Sequence, residues 1–349
     1  MPLRGLISTH TDFRHLWIGD GVSKLGSQVV VLVMPVLAAT TLNASTWQVG
    51  LLATFAGLPF LLIGLQVGAW SDRVQRRPLL IAADLGRAAV LAWVPVGYVI
   101  GVLTIEQLYV VQLLVGVGSV IFDVSQGAYL PDLIGRARLV EANGRLEANR
   151  TVAFTAGPTV GGQLIQWLGA PLALVITVLG YLSSAAWLAS IRTQKRRVSH
   201  DRPTSLAQEI GDGLRFVLHQ PFIRATTLHA TTAVLCLSTR YSIEVLFLLR
   251  TVGLSPGSIG LLMSLSGVGA VAGAMLAGRI GCVVGRTRTV LLSGFGMGLS
   301  SLLIPFTSAG IGLLCYVVGA GMVAFWITAN NVIAVSSGKP CALTTCSAE

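Results

Sequence analysis

Ten apolar blocks run through this chain, roughly at 14–41, 47–69, 78–100, 105–128, 148–168, 170–191, 222–248, 257–279, 289–308 and 311–335. Each is near the roughly 20 residues that a helix needs to cross a bilayer. Inside a bilayer an unpaired backbone N–H or C=O is costly, so only helices and closed barrels span it. A barrel would show alternating strands of about ten residues, whereas these runs are continuous. An all-α membrane protein with about ten spanning helices is therefore expected. The charge content agrees: 11% of residues are charged, against about 25% in soluble domains. Met1 to His15 holds charges and no apolar core, and the first block runs past the length of a signal h-region. It predicts a retained first helix rather than a cleaved leader.

Basic residues fix the expected orientation. With the N-terminus in the cytoplasm and the spans alternating, 20 of the 24 Lys and Arg fall on the inside. Of the rest, Arg250 alone sits in an outside loop, and Lys24, Arg87 and Arg240 lie within spans. Such asymmetry follows the positive-inside rule. It also accounts for the net charge of +10 without nucleic acid as a partner. The expected location is the cell membrane, multi-pass.

The longest loop, 192–221, divides the chain into an N-terminal six-helix half (1–191), a cytoplasmic linker, a second half (222–335) and a tail (336–349). Leu206, Ile210, Leu214, Val217 and Leu218 have roughly helical spacing, which fits either an amphipathic helix on the inner membrane surface or a plain linker helix. The halves also match at an offset of 210 residues: Gly50 with Gly260, Gly57 with Gly267, Gly68 with Gly278 and Arg76 with Arg286. Repeated halves with substrate between them are a mark of secondary transporters.

Two runs carry a family resemblance. The turn between spans two and three reads Gly68-Ala-Trp-Ser-Asp72-Arg73-Val-Gln-Arg76-Arg77. Gly68 would allow close helix approach, and Asp72 could cap the next helix or pair with Arg76 or Arg77. The run looks like the loop signature of the major facilitator superfamily, with Gln75 where Gly is usual. Span five reads Ala153-Phe-Thr-Ala-Gly157-Pro158-Thr-Val-Gly161-Gly162. Small residues spaced by four make a flat packing face, and Pro158 permits a kink. This run resembles the antiporter motif of the superfamily's drug exporters. Phe13-Arg14-His15-Leu16-Trp17, Asp84-x-x-Arg87, Leu130-Pro131-Asp132 and Glu141-Ala142-Asn143 in the loop after span four are similar to the enterobactin-exporter and macrolide-efflux branch. The resemblance implies a major facilitator fold, a conformational latch at Gly68, Asp72, Arg73, Arg76 and Arg77, and export. The competing reading of Gly157, Pro158, Gly161 and Gly162 is a structural kink with no bearing on direction.

Ionisable residues inside a bilayer are expensive and often functional. Asp20 and Lys24 are four apart in span one, Asp84 and Arg87 three apart in span three, and Arg240 and Glu244 four apart in span seven. Each spacing puts both partners on one helix face. Asp123 in span four has no local partner, and its depth suits contact with Arg76 or Arg77. A carboxylate paired with a cation carries protons less readily than a lone one, which favours Asp123 as a proton carrier; the alternative is that these groups are structural salt bridges. Gln28, Gln66, Gln112, Gln126 and Gln163 could line a cavity or join helices.

No phosphate-cradling loop, metal-ligand spacing of His or nucleophile elbow occurs in the sequence. No enzyme, cofactor or metal site is expected. The superfamily usually has twelve helices, and the stretch from Ser336 to Glu349 is neither apolar nor family-like. The expectation is an incomplete C-terminal bundle of four helices left by a frameshift near position 336. The expected function is proton-coupled efflux of a small amphipathic molecule by alternating access; the alternative is a truncated, transport-inactive membrane protein.

Overall fold

The computed structural model describes residues 10–71, 74–135, 138–191, 243–284, 286–307 and 312–335, with a few separate residues that include Leu6, Arg240 and Tyr241. Among these residues there are helices and no strand. The first six helices are α1 (Thr11–Thr40), α2 (Thr46–Ser71), α3 (Arg76–Ile100), α4 (Ile105–Ile134), α5 (Leu139–Leu168) and α6 (Ala170–Ala189). After a helical stretch that ends in the π-turn Phe247–Thr251 come α7 (Pro256–Val284), α8 (Arg286–Ser301) and α9 (Leu313–Val335). Most of span seven and the whole stretch 205–214 lie outside the described residues.

Six of the helices are long and apolar enough to cross a membrane. Short connections make successive helices antiparallel. Gly101 and Gly169, both at positive φ near +80°, end α3 and separate α5 from α6, a backbone conformation that glycine adopts without strain. Ser45 and Gln48 form a reciprocal capping box at the start of α2, Ser45 N–H donating to Gln48 Oε1 (2.8 Å) and Gln48 N–H to Ser45 Oγ (3.3 Å). Pro35, Pro59, Pro95, Pro131 and Pro158 all sit inside helices, which bilayer helices tolerate because neighbours re-satisfy the freed backbone.

Two helices outrun their apolar blocks. α4 continues to Ile134 instead of ending near 128, and α5 begins at Leu139 instead of 148. Glu141, Ala142 and Asn143 are thus helical, not loop. Hydropathy marks where a helix leaves the hydrocarbon; the backbone ladder continues into polar surroundings. The N-terminal turn of α5 is also tied down, because Leu6 N–H donates to Glu141 Oε1 (3.0 Å).

Within the first six helices, α1 packs on α5 and α6, α3 on α4 and α6, and α2 on α4. α7 and α8 pack on α9, and α7 also packs along α5. One cluster of buried apolar residues runs through both sets, from Leu37 and Leu91 to Leu248, Ile259 and Tyr316. A second gathers Phe13, Leu80, Phe122 and Leu188. The repeated glycines behave differently in the two sets. An added Cβ at Gly267 would crowd Thr155 at 2.6 Å, but at Gly50, Gly57 and Gly68 it would meet nothing within 4 Å. The expected close helix approach at Gly68 is therefore not made among the described residues; in α7 it is Gly260 and Gly267, the counterparts of Gly50 and Gly57, that meet a neighbour closely.

Gly116 of α4 lets α2 come close: a Cβ there would lie 2.8 Å from Pro59 Cγ and 2.9 Å from Ala56 O. Gly116→Val is expected to destabilise the protein by about 1–3 kcal/mol through overpacking. Gly127→Ala, on the same helix where a Cβ meets open space, should leave stability equal or slightly raised. Thermal melts in detergent check this, and equal melts for the two variants would contradict it.

Candidate functional site

Intramembrane charges fall into two environments. The first is sealed. Asp84 and Arg87, one turn apart on α3, form an ion pair at 0% and 2% side-chain exposure. Ser23 of α1 joins them: Arg87 Nη2 donates to Ser23 Oγ (3.0 Å), and Ser23 Oγ donates to Asp84 Oδ1 (3.3 Å). The guanidinium also lies over the rings of Phe122 of α4 (4.6 Å) and Tyr181 of α6 (4.5 Å), where cation–π attraction is strongest because water is absent. Gly118 leaves the room this needs, since a Cβ there would be 2.6 Å from Arg87 Cγ. Four helices thus close on one arginine. Arg240 and Glu244 make a second, largely buried pair at 3.3 Å, with 15% and 1% side-chain exposure. Tyr316 of α9 donates its hydroxyl to Glu244, and Arg240 stacks on Tyr241 at 4.5 Å. Both pairs have the spacing that the sequence predicts.

The second environment is open. Lys24 of α1 forms an ion pair with Asp123 of α4, at 24% and 37% side-chain exposure. Among the described residues no other ion pair within the helices is so accessible. Two expectations are corrected here. Lys24 does not pair with Asp20, and Asp123 is neither alone nor with Arg76 or Arg77 but bound to Lys24, so the lone-carboxylate argument for it as proton carrier falls away. The cause is lateral packing: α4 brings a carboxylate to the lysine from a neighbouring helix, and no spacing along α1 could reveal it. Asp20 is held instead by carboxamides. It is buried, and it accepts hydrogen bonds from Gln126 Nε2 (2.6 Å) and Asn149 Nδ2 (3.0 Å). Asn149 Nδ2 also donates to Trp17 O (2.7 Å).

The turn between α2 and α3 is placed only in part, because Asp72 and Arg73 lie outside the described residues. Arg76 pairs with Asp132 near the end of α4 and donates to Ala128 O (2.8 Å). Arg77 donates to Leu188 O (3.0 Å) and Ala189 O (2.5 Å) at the end of α6. The C-terminal carbonyls of a helix are unsatisfied and carry partial negative charge, so Arg77 is suited to that position. The two arginines bind the start of α3 to the ends of two neighbours.

The glycines of α5 form two rows, one residue out of step. Gly157 and Gly161 face α1, where an added Cβ would crowd Gln28 and Val29. Pro158 and Gly162 face α7, where a Cβ at Gly162 would lie 2.5 Å from Pro256 O and 3.2 Å from Gly260 Cα. α5 is therefore clamped between α1 and α7. Hydroxyls fasten the α7 side: Thr159 N–H donates to Ser264 Oγ (3.1 Å), and Thr159 Oγ1 donates to the same oxygen (2.6 Å). At the same end of the molecule, Arg250 Nη2 donates to Ala44 O (2.6 Å) between two turns. Thr159 Oγ1 is also within hydrogen-bond distance of Gly260 O (3.3 Å), so all of these contacts join described residues of α1–α6 to described residues beyond 240.

Sequence reasoning missed Ser23, Phe122, Tyr181, Tyr316, Asn149, Asp132 and Ser264 as partners. Spacing along one helix finds i, i+3 and i, i+4 pairs. Partners on other helices leave no such trace, although Gln126 stood out as a polar residue in an apolar block.

A family model described as "transmembrane secretion effector" matches residues 6–339. The multidrug efflux pump Tap of Mycobacterium tuberculosis is 30% identical over 316 residues, which cover 86% of this chain and 72% of that protein. Macrolide efflux protein A of Streptococcus pyogenes is 23% identical over 337 residues, covering 94% and 82%. Of solved structures, the nucleoside transporter NupG superposes with a TM-score of 0.73 at 12% identity, over 92% of this chain and 80% of that one. A bacterial homologue of the iron transporter ferroportin, in its inward-facing state, gives 0.69 at 15%, over 96% and 85%.

Arg87→Ala leaves the Asp84 carboxylate buried without its cation, and a loss of about 3–5 kcal/mol is expected. Asp84→Asn combined with Arg87→Met removes both charges and should cost less than Arg87→Ala alone. Detergent melting temperatures decide; a double variant as unstable as the sum of its parts would contradict the assignment of this pair as a sealed structural element.

Proposed function

The chain belongs to the transmembrane secretion effector family and has the fold of the major facilitator transporters, and from that premise we propose that it is a proton-driven exporter of small amphipathic molecules. The observation that carries the proposal is the Lys24–Asp123 pair. It lies within the apolar helices α1 and α4 and is partly exposed, whereas Asp84–Arg87 is closed to solvent and Arg240–Glu244 is more deeply buried. A charge pair in contact with solvent inside a bilayer can be reached by protons and substrates; a sealed pair cannot, and serves to hold helices together. The efflux functions in the names of the 30% and 23% identical relatives support export as the direction.

On this reading the N-terminus is cytoplasmic and the protein sits in the cell membrane. The N-terminal half (1–191) rocks against the second half (222–335), with 192–221 as the cytoplasmic linker. The end of the molecule where α5 meets α7 then faces outward, and in this arrangement it is closed. Gly157 and Gly161 hold α5 to α1, while Pro158 and Gly162 form the surface that parts from α7 when the outside opens. Arg76 and Arg77, with Asp72 and Arg73, act as the latch at the cytoplasmic end. Substrate enters beside Lys24 and Asp123, the halves rock, and a proton arriving at Asp123 from outside resets the cycle.

Two tests follow. In cells expressing the chain, efflux of dyes and antibiotics should need the proton gradient and fall by on the order of tenfold in Asp123→Asn, as for a lost interaction of about 1.4 kcal/mol. Undiminished efflux from a fully inserted variant would overturn the assignment. In a background lacking the five native cysteines, a Thr159→Cys and Ser264→Cys pair should stop efflux on oxidation and regain it on reduction. Full activity of the cross-linked protein would mean that the α5–α7 contact does not open during transport.

A further inference from the structure

Two carboxylates, Asp20 and Asp123, lie near one ammonium, Lys24. In this structure Lys24 is on Asp123, and Asp20 is buried with two carboxamides and no cation in contact. We propose that Lys24 is shared: when Asp123 takes up a proton, the ammonium passes to Asp20, so that a tie between α1 and α4 becomes a tie within α1. The inference rests on the proton-coupled reading above and adds the step by which a proton alters helix packing.

Four observations carry it. Asp20 and Lys24 are one turn apart on α1, about 6 Å along its axis. Helical side chains lean toward the N-terminus, which aims the long stem of Lys24 at Asp20. Asp20 also has acceptor capacity left for the ammonium, because a carboxylate offers about four acceptor positions and each oxygen receives one carboxamide bond. Lastly, an unpaired ammonium between apolar helices is costly, so losing Asp123 as counter-ion drives Lys24 to the next available carboxylate.

Asp20 is that carboxylate because the other charged groups are spoken for. Asp84 of α3 is held by Arg87 and Ser23. Phe122 stands at this boundary, with Lys24 Nζ at 5.9 Å and the Arg87 guanidinium at 4.6 Å from its centroid. On α6, the Tyr181 hydroxyl is bonded to Ser27 (3.1 Å). On α5, Glu141, Glu147 and Arg150 are exposed and Arg145 is half-buried; its contact with α1 is a carbonyl that accepts from the Trp17 indole (3.2 Å). α2 carries no ionisable side chain. The i, i+4 pair legible in the sequence and the inter-helix pair seen in the structure are then two stations of one lysine.

The handover has a mechanical consequence. With Lys24 on Asp123, α1 and α4 are joined by an ion pair and by the Gln126–Asp20 hydrogen bond. With Lys24 on Asp20, the carboxamide bond alone remains at this level. Protonation of Asp123 loosens α4 from α1 without stranding a charge.

Asp123→Asn stands in for the protonated carboxyl, so the full-length purified variant tests the step without transport. Its structure should place Lys24 Nζ within about 4 Å of an Asp20 oxygen, ion-pair distance; an ammonium that stays beside position 123 or turns to solvent overturns the proposal. Melting temperatures give a second reading. Asp20→Asn alone replaces one of two buried acceptor oxygens by a donor, and the loss it causes sets the single-variant reference. In the Asp123→Asn background it should lower the melting temperature by about 4 °C or more beyond the sum of the single effects, and Lys24→Gln should restore it. Additive losses, or no restoration by Lys24→Gln, would overturn the shared-lysine account, even where the double variant folds poorly. If Lys24 moves to Asp20 but transport ignores the proton gradient, the handover stands and the proton-driven reading fails.

Discussion

A charge inside a bilayer has to be neutralised by the protein itself, because hydrocarbon offers it nothing. The arrangement of α1–α6 follows from that requirement. Arg87 is enclosed by Asp84, Ser23, Phe122 and Tyr181, contributions from α1, α3, α4 and α6. Asp20 brings α4 and α5 to α1 through two carboxamides. Each group that would be costly alone becomes a point where helices are held in register. The energy of such a point lies less in what it adds than in what its disruption would expose.

Against this fixed frame, two features are left able to change. Lys24–Asp123 is paired but open, so its counter-ion can be exchanged without unpacking a core. The α5–α7 seam brings together glycines, two prolines and hydroxyls, with Gln163 and Gln166 against Gly257. Small residues permit a close fit between the two helices. Sealed charges for rigidity and an open pair beside a small-residue seam suit a protein that moves two sets of helices as bodies.

The helices were legible in the sequence because the bilayer sets their length, and the apolar blocks report it directly. Helix ends were less so: Asp132 and Glu141 are polar, and nothing in hydropathy distinguishes a helix that continues past the membrane from a loop. The same division holds within the site. Asp84–Arg87 and Arg240–Glu244 were legible because a helix brings residues three or four apart together. Lys24 followed the rival rule, since tertiary packing put Asp123 closer than its own helix neighbour. The glycine motif on α5 was visible as a packing face, but the sequence could not say that its two rows serve different neighbours. The 210-residue repeat identified corresponding glycines in α2 and α7; Gly260 and Gly267 meet a partner, and their counterparts Gly50 and Gly57 do not.

The central claim is that an exposed ion pair in the membrane interior couples protons to transport. The most direct measurement is internal pH in proteoliposomes of the purified chain, read with a trapped dye while substrate is added under an imposed proton gradient. Substrate-dependent proton movement in the native protein, and none in Asp123→Asn reconstituted to the same density, is the predicted result. Equal proton movement in both, or substrate movement without any, would contradict the account.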